Sequence, residues 1–331
     1  MSLESIEVFD RLAGNALYKY GMEVEYEPVL LQVSENITYL IKNRSSAEKY
    51  IMRISRPGYH TIEELYAELE WLSEIKKYTP IIVADPIKGL DGDEVQLISE
   101  KEGGKTYISM MFEFLEGSAP DESDENNLVS EFRQLGETTA YLHRQAKMWN
   151  GAGKLNRFSW DFDSMIGDGP RWGSWRDAAD LTPEYADILE KAVAVIKKRL
   201  EKYGRNSETF GLIHADLRLA NLLVEDKTIK VIDFDDCGFG WFMHDLASAV
   251  SFIEHKPVTE SLVKAWLEGY SKVGAITERD MKEIDTFIMQ RRLQLLSWIA
   301  SHYDSDPVKE LSIGFTKGTV ELAEKYLLKY L

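Results

Sequence analysis

The first third of the chain has the hydrophobic pattern of a small antiparallel sheet. Residues 29–56 form three short runs rich in Val, Ile, Leu, Thr and Tyr, with polar turns at 34–36 and 43–46 between them. Such runs separated by turn residues are typical of adjacent antiparallel strands. Two further extended stretches, 94–99 and 106–115, complete the predicted sheet.

One helix is predicted within this region. Thr61 and Glu64 have the spacing of a capping box, in which each side chain bonds the backbone N–H of the other residue. Glu68 lies at the border of the apolar face that follows. The apolar residues that recur there at helical spacing are Ile62, Leu65, Leu69, Leu72 and Ile75.

The rest of the chain is predicted to be mostly helical. A helix marked by Phe132 and the apolar positions after it ends near His143, and a long helix over 184–203 stops at Gly204. Between them, residues 156–183 contain three Trp with Gly and Pro punctuation and no periodicity. This composition indicates an ordered irregular insertion.

Composition and charge exclude several classes of protein. The 331 residues include 39 Lys and Arg against 56 Asp and Glu, a net charge of −17, and 44% are hydrophobic. The apolar fraction excludes disorder, and the acidic charge argues against general binding of nucleic acid or anionic membranes. The single cysteine, Cys237, cannot form an intramolecular disulfide. No apolar run approaches the ~20 residues of a membrane span and no secretory signal is apparent, so we expect a cytoplasmic protein.

The segment 211–246 carries the candidate chemistry. Two strands within it flank a turn at 226–227, and antiparallel pairing about that turn places Asn221 beside Asp233. Asp216 precedes the first of these strands. The three side chains are therefore expected to gather at one end of a hairpin.

These three side chains are hard oxygen ligands. Carboxylates gathered without a cation would raise one another's pKa and repel, so the grouping indicates a bound Mg²⁺. An Asp that precedes an Asn by five residues and a second Asp by seventeen matches the layout of phosphoryl-transfer sites. In that layout one Asp orients a hydroxyl while the other residues hold metal. The predicted reaction class is kinase-like.

The sequence resembles the aminoglycoside phosphotransferase and choline kinase-like group of small-molecule kinases, over roughly residues 25–300. Residues 214–221 (HADLRLAN) are similar to the catalytic loop of the group, and 232–236 (IDFDD) to its metal-binding strand end. Residues 240–247 (GWFMHDLA) are similar to its Gly-x-x-x-x-Asp-Leu-Ala segment, and 111–117 to its hinge between lobes. The resemblance implies an α+β, two-lobed protein-kinase-like fold. A small N-terminal antiparallel-sheet lobe with one main helix would precede a larger, mostly helical C-terminal lobe.

The resemblance also implies a role for individual residues. Asp216 would be the base that orients the acceptor hydroxyl, while Asn221 and Asp233 would bind Mg²⁺. Asp245 would brace the catalytic loop. The backbone of Glu113, Phe114 and Leu115 would read the adenine edge of ATP. We accordingly divide the chain into a nucleotide-binding lobe, 1–115, and a catalytic and acceptor-binding lobe, 116–331.

Two departures from the kinase pattern concern the phosphates. Arg53 stands where these kinases usually place a lysine. The positive charge is therefore kept, on a guanidinium that can bind two oxygens at once. Its expected ion-pair partner is Glu68, with Glu64 as the alternative. The loop 32–38 lacks the glycines of the protein-kinase version, although its backbone N–H groups remain candidates for holding phosphate. The candidate residues there are Ser34 and Asn36.

The predicted function is transfer of the γ-phosphate of ATP, with Mg²⁺, to a hydroxyl of a small molecule. Arg218, two residues after the base, is a candidate for neutralising the transferred group. The resemblance leaves the acceptor open among aminoglycosides, choline or ethanolamine, homoserine, another amino alcohol and protein Ser/Thr. The acidic surface mildly favours a cationic acceptor. The alternatives are a protein kinase of the same fold, a metal-dependent phosphohydrolase and a non-catalytic kinase-fold binding protein.

The tryptophans of the insertion allow two interpretations. Trp160, Trp172 and Trp175, with the aspartates between them, could form a cage for a cationic acceptor. Alternatively, they pin the insertion onto the helical lobe. We favour the second interpretation, because tryptophan mostly serves burial.

Overall fold

The computed structural model describes residues 3–33, 36–99, 104–121, 124–303 and 306–331. It divides the chain into two compact units. The first is made of Met1–Lys77 and Ile82–Gly117, and the second of Tyr78–Ile81 and Ser118–Leu331. The division after Gly117 lies two residues beyond the predicted boundary.

The elements up to Glu113 form a sheet with two helices. They are α1 (Leu3–Tyr20), β1 (Tyr26–Val33), β2 (Asn36–Asn43), β3 (Lys49–Ser55), α2 (Ile62–Tyr78), β4 (Pro86–Ile87), β5 (Val95–Ser99) and β6 (Thr106–Glu113). The strand order is β1-β2-β3-β6-β4, with β5 also on β6, and every pair is antiparallel. The predicted antiparallel sheet is confirmed.

Local signals account for α2 and for the turn between β2 and β3. The Thr61 N–H donates to Glu64 Oε2 at 3.0 Å and the Glu64 N–H to Thr61 Oγ1 at 3.2 Å, so the predicted capping box is present. The Asn43 Oδ1 accepts the N–H groups of Ser45 and Ser46 and closes the turn. An Asn side chain that accepts from nearby backbone N–H groups favours a turn over continued strand pairing.

Helix α1 was not predicted, and it supplies part of the core of the first unit. Its buried face, which includes Leu12, Ala13, Ala16 and Leu17, belongs to one cluster with buried residues of the sheet. The sheet residues of that cluster are Tyr26, Ile37, Tyr39, Ile41, Met52, Ile54, Ile98, Tyr107 and Met111. One face of the sheet is thus covered by a helix, as an α+β layer requires.

The second unit is mostly helical, as predicted. Its elements are α3 (Glu125–Met148), β7 (Ser159–Trp160), α4 (Phe162–Met165), α5 (Pro183–Tyr203), β8 (Phe210–Ile213), β9 (Leu222–Glu225), β10 (Thr228–Val231), β11 (Gly238–Trp241), α6 (Met243–Ala249), α7 (Thr259–Tyr270), α8 (Glu278–Ser301), α9 (Asp306–Ser312) and α10 (Phe315–Tyr330). Helix α5 ends at Gly204 with φ of 70°, as expected of a glycine cap.

One predicted helix boundary is wrong. Helix α3 runs to Met148, five residues beyond its predicted end near His143. Ala146 is buried in the additional turn, and the Trp149 N–H donates to the Gln145 carbonyl at 2.9 Å to cap it. Burial of Ala146 and this cap extend the helix beyond the large apolar positions from which the boundary was predicted.

Helices α3 and α7 cross with their backbones almost in contact. A Cβ on Gly136 would lie 1.9 Å from the Trp266 carbonyl oxygen, and one on Gly269 would lie 1.8 Å from the Arg133 carbonyl oxygen. Only glycine fits at these two positions. The crossing packs the middle of α3 against the end of α7, and these two helices carry two side chains of the site described below.

No helix in the described ranges has the length and apolar composition needed to cross a membrane.

Candidate functional site

The predicted hairpin carries the candidate metal ligands. Strands β9 and β10 pair about Asp226 and Lys227, both with positive φ, at 47° and 67°, as a two-residue type I′ turn requires. Beyond the last strand pair, the Ile232 N–H donates to the Asn221 carbonyl at 3.1 Å. Asn221 therefore lies next to Asp233 across the hairpin, as predicted.

Asp216 is held by donors at both carboxylate oxygens. The Asn221 Nδ2 donates to its Oδ2 at 2.7 Å, and the Arg218 Nε to the same oxygen at 3.2 Å. Its Oδ1 accepts from Arg291 Nη2, contributed by α8. Burial raises the pKa of the Asp216 carboxyl, but the charges of Arg218 and Arg291 outweigh it and hold that pKa below its ordinary value. The carboxylate is therefore anionic at neutral pH.

Asp245, on α6, supports the loop 214–221, which the sequence predicts to be the catalytic loop. Its Oδ1 accepts the Ala215 N–H at 2.8 Å and its Oδ2 the His214 N–H at 3.2 Å. Ala215 has φ of 69°, a conformation that costs energy for a residue with a Cβ. The two bonds to one buried carboxylate stabilise this strained backbone immediately before Asp216.

Asp245 is itself held by two residues that the sequence did not connect with it, His143 and, through His143, Tyr270. His143 is buried in α3, and its Nε2 lies 3.0 Å from Asp245 Oδ2. Its Nδ1 lies 3.1 Å from the Tyr270 hydroxyl on α7. Burial lowers the pKa of His143, so the neutral ring donates to Asp245 and accepts from Tyr270. The α3–α7 crossing thus supports the loop 214–221 through His143 and Asp245.

Two more buried histidines surround the loop. His214 Nε2 lies 3.2 Å from the Ile232 carbonyl, a contact that ties the loop to the segment after β10. Burial lowers the pKa of His214, and burial with the nearby charge of Arg291 lowers the pKa of His244 to about 4. Both rings are therefore neutral at physiological pH, which disfavours either as a cationic phosphate ligand.

The donor set at the hairpin end fits a hard divalent cation. The Asn221 amide nitrogen donates to Asp216, so the amide oxygen is the atom suited to a cation. Asp233 has an exposed side chain and a left-handed backbone with φ of 62°. Within the described ranges, no three His, Cys, Asp or Glu side chains gather as a metal site. One carboxylate and one amide suit Mg²⁺, which commonly takes its other ligands from water and phosphate.

The first unit contains the predicted arginine–glutamate pair. Arg53 Nη2 lies 2.6 Å from Glu68 Oε2, with both side chains buried, and the Arg53 guanidinium lies 5.5 Å from the centre of the Phe112 ring. Glu64, the alternative partner, instead caps α2. Arg53 is thereby fixed on β3, and its contact with phosphate remains a prediction.

The predicted hinge has one backbone group already engaged. The Glu113 N–H donates to the Asp85 carbonyl at 2.9 Å, so reading of adenine there would rest on the other backbone groups of the segment. The Phe114 ring lies 4.1 Å from Lys49 Nζ. Of the predicted phosphate loop, Ser34 lies outside the described residues. Asn36 begins β2 and is buried, with no hydrogen-bond partner for its Oδ1 among the described residues.

The tryptophans pin the insertion, as the favoured interpretation stated. Trp160, Trp172 and Trp175 are all buried, and Trp160 Nε1 donates to the Asp236 carbonyl at 2.6 Å. Trp172 meets Trp160 edge-on at 5.2 Å. This geometry leaves no exposed aromatic cage at these three positions.

Arg291 is a contact of Asp216 that the sequence did not predict. It lies 75 residues from Asp216 along the chain, and its only sequence signal is an Arg-Arg pair inside a helix whose other residues there are largely buried. Charged residues on a buried helix face are rare unless paired. That rarity could have drawn attention to Arg291, but it could not have identified the partner.

Comparison with known proteins identifies the family of the chain. The model of the phosphotransferase enzyme family matches residues 29–284. The amicoumacin kinase of Bacillus subtilis (strain 168) is 22% identical over 322 residues, which cover 93% of this chain and 91% of that protein. A microcompartment-associated aminopropanol kinase has a solved structure with 36% identity and a TM-score of 0.87, covering 96% of this chain and 98% of its own.

A second solved structure has the same fold and was determined with a nucleotide analogue bound. The amicoumacin kinase hAmiN, in complex with AMP-PNP, Ca²⁺ and Ami, is 20% identical with a TM-score of 0.76 and covers 97% of this chain and 96% of its own. The family match spans most of the chain, and the kinase-like fold predicted from the sequence is confirmed. The chain belongs to the phosphotransferase enzyme family, and it is a small-molecule kinase with an alcohol group as acceptor.

Proposed function

We propose that this chain transfers the γ-phosphate of Mg·ATP to the hydroxyl of a small amino alcohol. The observation that carries the proposal is the restrained, anionic Asp216, to which Asn221, Arg218 and Arg291 all donate. The 36% identity to an aminopropanol kinase, over nearly the whole of both chains, supports an amino alcohol as acceptor.

In this proposal Asp216 accepts the hydrogen bond of the acceptor hydroxyl and aims its oxygen at the γ-phosphorus. Catalysis of this kind comes mainly from positioning and charge neutralisation. Asn221 and Asp233 would hold Mg²⁺, which when bound neutralises charge on the phosphate oxygens. Arg53 would hold the nucleotide phosphates, and Arg218 would balance the charge of the transferred group.

The experiment is ADP release from Mg·ATP with separate acceptors. The panel contains aminopropanol, ethanolamine, choline, homoserine, an aminoglycoside and a generic protein substrate. Asp216→Asn keeps the shape of the side chain but removes the charge, and Asp226→Asn, in the exposed hairpin turn, is its matched control. We expect release with an amino alcohol, a loss of at least about 10²-fold in Asp216→Asn, and no change in Asp226→Asn.

Other results would redirect the assignment. Release with the protein substrate alone would indicate a protein kinase of the same fold. Phosphate release from a simple ester without nucleotide would indicate a phosphohydrolase. Equal rates in Asp216→Asn and the wild type, with any acceptor, would contradict the role given to Asp216.

A further inference from the structure

Arg291 occupies an unusual position for a charged residue. It lies in α8 with 1% of its surface exposed, and its Nη2 donates to Asp216 Oδ1. Burying an arginine costs several kcal/mol of desolvation, and apolar residues serve packing at least as well. Packing alone therefore does not explain a cation placed against the proposed catalytic carboxylate.

The guanidinium is fixed by neutral groups on its other sides. Its Nε donates to Ser251 Oγ at 3.0 Å, and its Nη1 donates to Gln294 Oε1 at 3.0 Å. The Trp172 ring centre lies 5.1 Å from its central carbon. Its one carboxylate partner in the described ranges is Asp216. Among the carboxylates of the described ranges, Arg291 consequently pairs with Asp216 alone.

The neighbouring Arg292 shows what a structural arginine looks like in the same helix. It is 3% exposed, and its Nη1 donates to Glu254 Oε2 at 3.0 Å. Its Nε donates to Thr319 Oγ1 at 2.8 Å, and its Nη2 to the Phe315 carbonyl at 3.2 Å. Arg292 therefore joins α8 to α10 and does not contact the catalytic loop. The two arginines match in burial and differ in partner.

Arg218 cannot replace this contact. Its side chain is 31% exposed, against 1% for Arg291, and it reaches the other oxygen of Asp216 at 3.2 Å. Arg218 is partly exposed, whereas Arg291 is confined among buried partners. If Arg218 turns away, Arg291 and Asn221 still hold the two oxygens of Asp216.

We infer that Arg291 is a positioning residue for phosphoryl transfer. It fixes the plane of the Asp216 carboxylate from the oxygen opposite Asn221, so that the acceptor hydroxyl is held in line with the phosphate. This inference rests on the proposed function. It predicts an effect on kcat with little effect on the KM for nucleotide, since misplacement of a reacting group by about 1 Å costs about 10²-fold in rate.

The test compares matched variants in the full-length chain. Arg291→Gln removes the positive charge, and Arg291→Lys keeps the charge but removes the planar guanidinium. Ser251→Ala removes the hydroxyl that accepts from Arg291 Nε and leaves the guanidinium in place. Arg292→Gln is the control for loss of a buried cation in the same helix. Steady-state kcat and KM for ATP are measured with the acceptor that the wild type uses, and far-UV circular dichroism checks folding.

We expect kcat to fall about 10²-fold in Arg291→Gln and less in Arg291→Lys, with the KM for ATP within about threefold of wild type. Arg292→Gln should keep kcat within about threefold once corrected for the folded fraction. Equal losses in both Gln variants, or an effect confined to KM, would overturn the inference.

The experiment also separates this inference from the function on which it rests. If Arg291→Gln does not fold, Arg291→Lys and Ser251→Ala decide: a lower kcat at unchanged KM supports the inference, and wild-type kinetics refute it. A wild-type chain without turnover on any acceptor overturns the proposed function and this inference together. An active wild type with unaffected Arg291 variants overturns the inference alone.

Discussion

Breaking the Arg53–Glu68 pair should destabilise the protein more than most charge-removing substitutions. The pair joins β3 to α2 at 2.6 Å, and the side chains are 8% and 1% exposed. Glu68→Gln keeps the volume of the side chain and removes the carboxylate that pairs with the buried arginine. Arg53→Met likewise removes the guanidinium that pairs with the buried Glu68 carboxylate.

The expected magnitude follows from burial. Removing one partner of a buried ion pair typically costs about 3–5 kcal/mol, because the remaining charge is left desolvated. An exposed pair is typically worth less than about 1 kcal/mol. Replacing both partners by apolar residues is often neutral. We therefore expect about 3 kcal/mol for either single substitution and recovery of most of it in Arg53→Met with Glu68→Leu.

The assay is urea unfolding followed by tryptophan fluorescence, to which the buried Trp71 of α2 contributes. Glu70→Gln, on an exposed position of the same helix, is the control and should stay within about 0.5 kcal/mol of wild type. The double variant then tests function, since it should regain stability without regaining affinity for ATP. That separation would show that Arg53 binds phosphate as well as pairing with Glu68.

A small effect would refute this reasoning. If Glu68→Gln costs less than 1 kcal/mol, the pair is hydrated and behaves as a surface contact. If the two single effects simply add in the double variant, the residues do not interact energetically. Full affinity for ATP in the double variant would contradict the role of Arg53 at the phosphates.

Three further predictions concern stability. Burial holds the pKa of His244 at about 4, below the unfolded value of about 6.5, so its contribution is complete above pH 6.5 and is lost as the pH falls toward 4. The loss of unfolding free energy from pH 7 to pH 5 should thus be about 2 kcal/mol smaller in His244→Gln, and equal losses would contradict this. Gly136→Ala should destabilise the protein by about 3 kcal/mol or prevent folding, because the helices must separate by more than 1 Å. Gly14→Ala, where a Cβ meets nothing within 4 Å, should raise the melting temperature, and the opposite order of the two would refute the steric argument. Lys227→Gly should stabilise the hairpin by about 0.5 kcal/mol, since residue 227 has φ of 67°; lower stability would show that the side chain contributes.

The parts of the fold that follow local rules were predictable. The capping box of Thr61 and Glu64, the glycine that ends α5, and the two-residue turn at 226–227 each depend on neighbours along the chain. The hairpin alone determined that Asn221 would lie beside Asp233. Motif order then led from those residues to the phosphotransferase family, and the family match agrees.

The support of the site was not predictable, because its contacts join distant segments. Asp245 reaches the catalytic loop across about thirty residues, His143 reaches Asp245 across 102, and Arg291 reaches Asp216 across 75. No periodicity or spacing records such pairs. Tertiary packing selects them after the elements have formed, so one sequence without its fold leaves them among ordinary buried residues.

The net charge of the chain gives a poor guide to the acceptor. An overall charge of −17 favoured a cationic acceptor, yet the charged groups that contact Asp216 are the cations Arg218 and Arg291. These two arginines offset the local negative charge of the carboxylate and suit the approach of an anionic phosphoryl group. In the proposed function, the ammonium of an amino alcohol would therefore be recognised by other groups than those that hold its hydroxyl. The discrimination between amino alcohols and neutral alcohols should accordingly survive in Arg291→Lys even as kcat falls, because the hydroxyl and ammonium ends are bound separately.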